Sequence, residues 1–273
     1  MRTPGAHAMT LLRKSITAIV VLLLALAAPA QAEAPRPVVR LATLDWEPYI
    51  GEKLPNQGYT AVLVREAFKD QGWDVKIEFY PWARALHLAR TGEVDGLMPE
   101  YFNSSRKNEF QYSFPFRGGP LVLYKRKADA ISFSTDPAND QDRALRALKD
   151  KRFGVVRGYL NTPIFDAAFY LAKEEASDDA TNLRKLVYKR IDLAVIDQRV
   201  AEYLVRTQYP DYASKLGPML PALAENPLYI AFSLKSKNHA AARAAFDRGL
   251  ARMQKDGRLE KLYKKYILNA GVR

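Results

Sequence analysis

Few side chains in this sequence have the type and spacing that covalent catalysis or metal binding requires. The chain contains no cysteine, which excludes disulfides, iron–sulfur clusters, zinc ribbons and thiol nucleophiles. His87 and His239 lie far apart in two helical patterns, whereas a general base needs a positioned partner. Glu93 and Asp95 could act as paired acids, although their turn-like context favours a solvated turn. Known hydrolase, zinc-protease and phosphate-loop motifs are missing, which weighs against a hydrolase that relies on such a motif and leaves carboxylate chemistry open.

The first 32 residues have the pattern of an export signal. Arg13 and Lys14 precede an apolar stretch at 16–28, and Pro-Ala-Gln-Ala at 29–32 resembles an A-x-A cleavage site. The stretch is shorter than the roughly 20 residues that span a bilayer. We therefore expect cleavage after Ala32 and a soluble periplasmic protein, with no cysteine for a lipid anchor. Translation from Met9 instead of the first residue stays open.

The charge balance is basic, with 42 Lys and Arg against 30 Asp and Glu and a formal net charge of +12. The basic residues are scattered, and no block of five or six occurs. This distribution is typical of a solvated basic surface, and an exported protein is a poor candidate for binding nucleic acid.

Hydrophobic periodicity predicts alternating strands and helices, which favours an α/β fold with a largely parallel sheet. Predicted strands lie at 38–43, 75–80, 94–98, 153–157, 191–196 and 228–234. Predicted helices lie at 59–70, 83–91, 163–174, 198–206 and 259–267, with another that buries Ala242, Phe246, Leu250 and Met253. Residues 126–150 are polar, with a charged helix-like run at 140–149, and Glu-Asn-Pro at 225–227 is a second break. These two breaks suggest two α/β lobes.

Four segments resemble the family 3 extracellular solute-binding proteins, the periplasmic receptors of polar amino-acid ABC transporters. They are LATLDWEPY at 41–49, TGEVDGLMPEYFNSSRKNEFQYSFPF at 91–116, RIDLAVIDQRVAEY at 190–203 and QKDGRLEKLYKKY at 254–266. The resemblance implies two α/β lobes, joined by two strands, that close on a ligand. Lobe 1 would comprise 36–125 and 228–273, and lobe 2 would comprise 126–227.

The resemblance also implies roles for individual residues. Arg106 matches the arginine that binds the ligand's α-carboxylate, for which a guanidinium offers a planar fork; a surface arginine is the alternative. Asp197 matches the carboxylate that accepts the ligand's ammonium, and it could also cap the following helix. Trp46 matches the aromatic that packs on the ligand, and Trp82 could form another wall; burial in the core is the alternative for both.

Three further positions of the implied site lie on loops. Tyr101 occupies a position where the family uses Ser or Thr to bond the ligand. Gly158 and Tyr159 lie in the lobe-2 turn whose backbone N–H groups could bind the ligand's carboxylate.

The chain departs from the family pattern near this site. Pro99 and Glu100 replace small residues, Asn103 replaces a threonine, and the segment 58–64 lacks the usual acid. Arg84, in a basic motif after Trp82, could face the cleft and favour extra negative charge on the ligand; stacking on Trp82 is the alternative. These departures bear on the ligand more than on the fold.

The resemblance implies a receptor that delivers a small polar ligand, an amino acid or a similar zwitterion or anion, to ABC permease subunits. We expect a monomer without cofactor or enzymatic activity. One alternative is a periplasmic enzyme similar to cyclohexadienyl dehydratase, for which Glu100 is the candidate acid. Another is a receptor that feeds a sensor or lacks a cognate transporter.

Overall fold

The computed structural model describes residues 35–268, and the predicted export signal lies outside this range. The described chain contains a mixed sheet of nine strands. These are β1 (Val38–Thr43), β2 (Asp74–Phe79), β3 (Gly96–Glu100), β4 (Phe110–Tyr112), β5 (Phe116–Arg126), β6 (Arg152–Val156), β7 (Ala172–Ala176), β8 (Leu193–Asp197) and β9 (Leu216–Ser233).

Eight α-helices accompany the strands within the described range. They are α1 (Gly58–Lys69), α2 (Trp82–Thr91), α3 (Gln141–Arg146), α4 (Pro163–Ala167), α5 (Asp179–Val187), α6 (Gln198–Thr207), α7 (His239–Lys255) and α8 (Arg258–Tyr263). Three 3-10 turns, at Pro55–Gln57, Ser104–Arg106 and Pro210–Tyr212, lie between them, and a π-helical turn, Lys264–Leu268, follows α8.

The strand order is β2-β1-β3-β9-β5-β8-β6-β7, with β4 paired to β9 off this path. The pairs β1–β2, β1–β3, β6–β7 and β6–β8 are parallel, whereas β9 runs antiparallel to β3 and β5. The 18-residue strand β9 pairs with β5 along its first part and with β3 and β4 near its end. This one long strand therefore joins the two groups of parallel strands.

The helices α1 and α7 pack closely on the β1–β3 side of the sheet. Phe68 of α1 and Phe246 of α7 have ring centroids 5.7 Å apart, and both rings are fully buried. A Cβ on Gly249 would lie 2.0 Å from the carbonyl oxygen of Ala67. The two helix backbones can therefore approach this closely only because position 249 carries no side chain.

The predicted element order agrees with most of the structure, but the predicted helix at 163–174 is wrong. The helix α4 ends at Ala167, and Ala172–Ala176 forms the strand β7 beside β6. Ile164, an apolar residue near the start of α4, is 44% exposed. Ala-Lys-Glu-Glu-Ala has a helical composition, but parallel pairing with β6 overrides that local preference.

Several elements are not evident from hydrophobic periodicity. Neither β5 nor α5 was predicted, and the last strand was predicted at 228–234, whereas β9 begins at Leu216. The predicted lobe boundary at 125/126 lies at the end of β5, and the boundary at 227/228 lies inside β9. The residue boundaries of the lobes stay a prediction.

The contact between α1 and α7 predicts a sharp steric effect. Gly249→Val should lower the free energy of unfolding by about 1–3 kcal/mol or more, because the side chain must push the helices apart. Ala251→Val introduces the same side chain at an exposed position of α7 and should change it by less than about 0.5 kcal/mol. Urea unfolding of both variants provides the measurement, and equal midpoints would contradict the close packing.

Candidate functional site

Polar and aromatic side chains converge where the strands end. Glu100 and Asp197 are the last residues of β3 and β8, and Asp179 opens α5 just after β7. Trp46 follows β1, and Trp82 opens α2 shortly after β2. The carboxyl ends of strands are where open α/β sheets place ligand-binding groups, because the loops there converge.

Asp197 is buried, and both of its carboxylate oxygens accept hydrogen bonds from the protein. Its carboxylate accepts the backbone N–H groups of Arg199 and Val200, which begin α6, at 2.9 and 3.3 Å. The hydroxyls of Tyr49 and Tyr101 donate to it at 3.2 and 3.3 Å. Burial raises the pKa of Asp197 to about 7, and these hydrogen bonds oppose the rise. Asp197 therefore caps α6 as expected, and the two tyrosine hydroxyls donate to its second carboxylate oxygen.

Asp179 is a second buried carboxyl, and it lies among aromatic rings. The indole nitrogen of Trp46 donates to its Oδ2 at 3.2 Å, and the hydroxyl of Tyr159 donates to the same oxygen at 3.3 Å. Burial raises the pKa of Asp179 to about 7; the two donors lower it, and the nearby Asp197 and Asp178 raise it further. The charge of Asp197 therefore opposes the ionisation of Asp179.

Arg106 and Glu100 form a buried ion pair. The Nη1 of Arg106 lies 2.6 Å from Oε2 of Glu100, and its Nη2 donates to the carbonyl oxygen of Gly158 at 2.6 Å. The other oxygen of Glu100 accepts the backbone N–H of Tyr101 at 3.1 Å. Burial raises the pKa of Glu100 to about 7, against the lowering effect of the guanidinium. Both terminal nitrogens of Arg106 therefore already have acceptors within the protein.

A small inner cavity of about 30 Å³ lies beside this pair. Its lining is mainly apolar and aromatic: Leu44, Trp46, Trp82, Pro99, Glu100, Tyr101, Tyr159, Leu160 and Leu228. Trp46 stacks on Tyr49 with ring centroids 4.9 Å apart, and Trp82 meets Tyr159 edge-on at 5.8 Å. Both tryptophans are buried, and both line the cavity. They are therefore core residues and part of the cavity wall.

A wider groove adjoins the cavity and shares Leu44, Trp46, Trp82 and Tyr159 with it. Among the described residues that line the groove, five carry a carboxylate and one carries an amine. The acids are Asp45, Glu47, Glu52, Asp178 and Asp179, and the amine is Lys53. The groove is therefore acidic, although the whole chain is strongly basic.

The remaining predicted site residues have different surroundings. Arg84 is exposed, and its guanidinium lies 5.5 Å from the centre of the Tyr80 ring. Gly158 has a φ of 80° and directs its carbonyl oxygen at both Arg106 and the Trp82 indole, which donates at 3.0 Å. The N–H of Tyr159 closes a turn with the carbonyl of Val156. This turn thus presents an acceptor to Arg106, whereas the resemblance led us to expect donors.

Sequence reasoning missed Asp179 and Tyr49. Asp179 went unnoticed because α5 was not assigned, although Asp178, whose side chain accepts the N–H of Thr181, is a readable helix cap. Tyr49 lies in the first quoted motif, but only the structure shows that it reaches Asp197. Glu100 was noted as a departure, and its pairing with Arg106 was not foreseen.

The described part of the chain contains no group of three or more histidines and acids arranged to hold a metal ion. Within residues 35–268, no helix is both long and apolar enough to cross a membrane.

Comparison with known proteins gives one family and many similar folds. The sequence profile of the bacterial extracellular solute-binding proteins, family 3, matches residues 40–269. No curated protein sequence matches the chain.

Solved structures share the fold at low sequence identity. A histidine kinase sensor domain with similarity to periplasmic binding proteins is 19% identical, with a TM-score of 0.69 over 85% of this chain and 96% of that one. An ancestral arginine-binding protein bound to arginine is 22% identical, with a TM-score of 0.68 over 85% and 98%. The ancestral amino acid-binding protein AncCDT-1, a precursor of cyclohexadienyl dehydratase, is 22% identical, with a TM-score of 0.62 over 84% and 95%. The predicted two-lobe fold class is confirmed.

The raised pKa of Asp179 predicts a pH-dependent stability. Folded Asp179 keeps its proton up to about pH 7, whereas the unfolded chain releases it near pH 4, so this group's contribution to the free energy of unfolding declines as the pH rises between these values. Asp179→Asn removes the titration. The melting temperature of the variant relative to wild type should therefore rise between about pH 5 and about pH 8.

The matched control is Asp150→Asn, an exposed aspartate at the end of the α3 region. Its melting temperature should differ from wild type by the same small amount at both pH values. A difference for Asp179→Asn that is also independent of pH would contradict the raised pKa.

Proposed function

Because the chain belongs to family 3 of the bacterial extracellular solute-binding proteins, we propose that it captures a small polar solute bearing a protonated amine and delivers it to the membrane permease of an ABC transporter. Amino acids are the ligand class that the sequence resemblance predicts. The protein acts in the periplasm as a monomer, after removal of its export signal, and uses no cofactor. The ligand lies between the predicted lobes, at the ends of the strands.

The observation that carries this proposal is Asp179 in its aromatic surroundings. Asp179 lines the acidic groove, and its two donors, Trp46 and Tyr159, bond Oδ2 and also line the inner cavity. A buried carboxylate is stabilised by a hydrogen-bonded cation, and a protonated amine supplies both charge and donors. The faces of Trp46, Trp82 and Tyr159 add attraction for a cationic or aliphatic ligand.

Hydrogen bonds between the predicted lobes provide the closing mechanism. Trp46 bonds Asp179, Tyr49 bonds Asp197, and Arg106 bonds Gly158, and each bond joins lobe 1 to lobe 2. These bonds form only when the lobes approach. A ligand that contacts both lobes adds its own binding energy to the closed arrangement and shifts the population towards it. The permease then recognises the closed form.

A second candidate function rests on Glu100. A buried carboxyl that lines a cavity and has a pKa near 7 suits general acid–base catalysis at neutral pH. An enzyme similar to cyclohexadienyl dehydratase would use it to move a proton on a cyclic acid. Turnover of prephenate or arogenate by the purified protein would support this function. Arg106 beside Glu100 favours the receptor, because the ion pair engages the acid.

Ligand binding should appear as thermal stabilisation of protein that has been unfolded and refolded to remove any bound solute. The panel comprises the common amino acids, their decarboxylated amines, diamines and betaines. A ligand at about 100 times its dissociation constant adds about 2.7 kcal/mol. We expect a selective rise in melting temperature for one class of amine-bearing compound.

Asp179→Ala should abolish that rise, because the ammonium loses its buried acceptor, and Asp150→Ala should keep it as the matched control. Absence of any shift across the panel would contradict the receptor function. An undiminished shift in Asp179→Ala would contradict the assigned role of Asp179.

A further inference from the structure

The buried pair of Arg106 and Glu100 bears on which amine the site accepts. In the family pattern the arginine at this position binds the ligand's carboxylate. Here, Nη1 of Arg106 lies 2.6 Å from Glu100, and Nη2 donates to the carbonyl oxygen of Gly158. A bidentate grip on a ligand carboxylate needs two N–H groups directed at the ligand. Here one N–H group of each terminal nitrogen is donated to the protein instead, and Glu100 compensates the positive charge of the guanidinium.

Glu100 also accepts a hydrogen bond from the backbone. Its Oε1 accepts the N–H of Tyr101, while its Oε2 accepts from Arg106. The Glu100 carboxylate thus accepts hydrogen bonds from both the Arg106 guanidinium and a backbone amide, as the carboxylate of a bound ligand would. Its side chain is 2% exposed, and its position as the last residue of β3 holds it there. Breaking such a buried pair leaves an uncompensated charge, which is strongly destabilising.

Among the described residues that line the groove, Lys53 carries the one amine. Among the described residues that line the inner cavity, none is an arginine or a lysine. Arg84 lies over Tyr80 and is exposed, and the turn at Gly158 directs a carbonyl oxygen inward. A ligand carboxylate would therefore meet Glu100 and Asp179 as neighbours, and like charges at close range repel.

The charged side chains that line the groove are mainly acidic and favour a cationic ligand. Asp179 lies among Trp46, Trp82 and Tyr159, whose rings attract cations. The groove outside adds four more carboxylates, at Asp45, Glu47, Glu52 and Asp178. Such a field concentrates cations at the mouth of the site and repels anions.

We propose that Glu100 is a specificity-determining residue that occupies the carboxylate-binding face of Arg106, so that the site binds organic amines lacking an α-carboxylate in preference to the corresponding amino acids. The ligand class is a primary amine or diamine whose aliphatic, guanidino or aromatic body lies in the groove against Trp46, Trp82 and Tyr159. This inference rests on the proposed function, whose ligand carries a protonated amine. It narrows the class that the sequence resemblance predicts.

The test compares matched pairs that differ only in the carboxylate. Refolded wild-type protein is titrated calorimetrically at about pH 8, where Asp179 and Glu100 are ionised, with arginine and agmatine, ornithine and putrescine, and tyrosine and tyramine. We expect at least one amine to bind about tenfold or more tightly than its amino acid.

An amino acid that binds as tightly as its amine, or more tightly, in every pair that binds would overturn the inference and leave the proposed function in place. Failure of both members of all three pairs to bind would overturn the inference and, together with a silent thermal panel, the proposed function as well.

Glu100→Gln provides the second measurement. The amide keeps the shape of the side chain but removes its charge, so Arg106 regains a net positive charge for a ligand carboxylate. The preference for the amine over the amino acid should fall about tenfold or reverse. Glu78→Gln is the matched control, because Glu78 is a partly buried glutamate paired with Arg40 outside the site. It should keep the wild-type preference.

The double variant Glu100→Gln, Arg106→Gln removes the pair as a unit and protects the test against misfolding of the single variant. It should still bind the amine and should show no gain for the amino acid. A gain of equal size in the single and double variants would show that Arg106 is not the group that Glu100 controls, and it would overturn the proposal.

Discussion

The site is organised around one ion pair, between Arg106 and Glu100. A guanidinium buried to this degree cannot stay unpaired, because the desolvation of a charge far exceeds the worth of a single neutral hydrogen bond. Glu100 supplies the countercharge from the adjacent strand end, and Gly158 supplies a carbonyl from the opposite side of the site. The pair therefore holds the turn after β6 in place and places a carboxylate at the cavity. Because its two charges compensate each other, it offers a ligand little net charge.

The fold makes this arrangement possible by directing strand ends to one place. Parallel pairing around β1 and around β6 brings Trp46, Glu100, Gly158 and Asp179 to the same edge, and β9 joins the two groups. Close packing behind the edge, as between α1 and α7 at Gly249, leaves the helices little freedom to shift. The site residues lie on short connections at strand ends, so their relative positions follow from the register of the sheet.

The sequence was informative where local pattern and tertiary environment agree. Apolar periodicity located α1, α2, α6 and α7, and Asp197 caps α6, which is one of the two roles predicted for it. It failed where tertiary pairing decides, as in Ala172–Ala176, whose helical composition forms a strand. The partner of Arg106 could not be read from sequence, because Glu100 is six residues away and only the path of the 3-10 turn at Ser104–Arg106 brings the two together.

A double-mutant cycle on Arg106 and Glu100 tests the central claim most directly. The free energy of unfolding in urea is measured for wild type, Arg106→Gln, Glu100→Gln and the double variant at about pH 8. Each single change leaves a buried charged partner unpaired, so the two changes should couple by about 1–3 kcal/mol. The double variant should be more stable than the sum of the two single effects predicts. Single effects that add within about 0.5 kcal/mol would mean that the two side chains do not form the buried pair, and the account of the site would be contradicted.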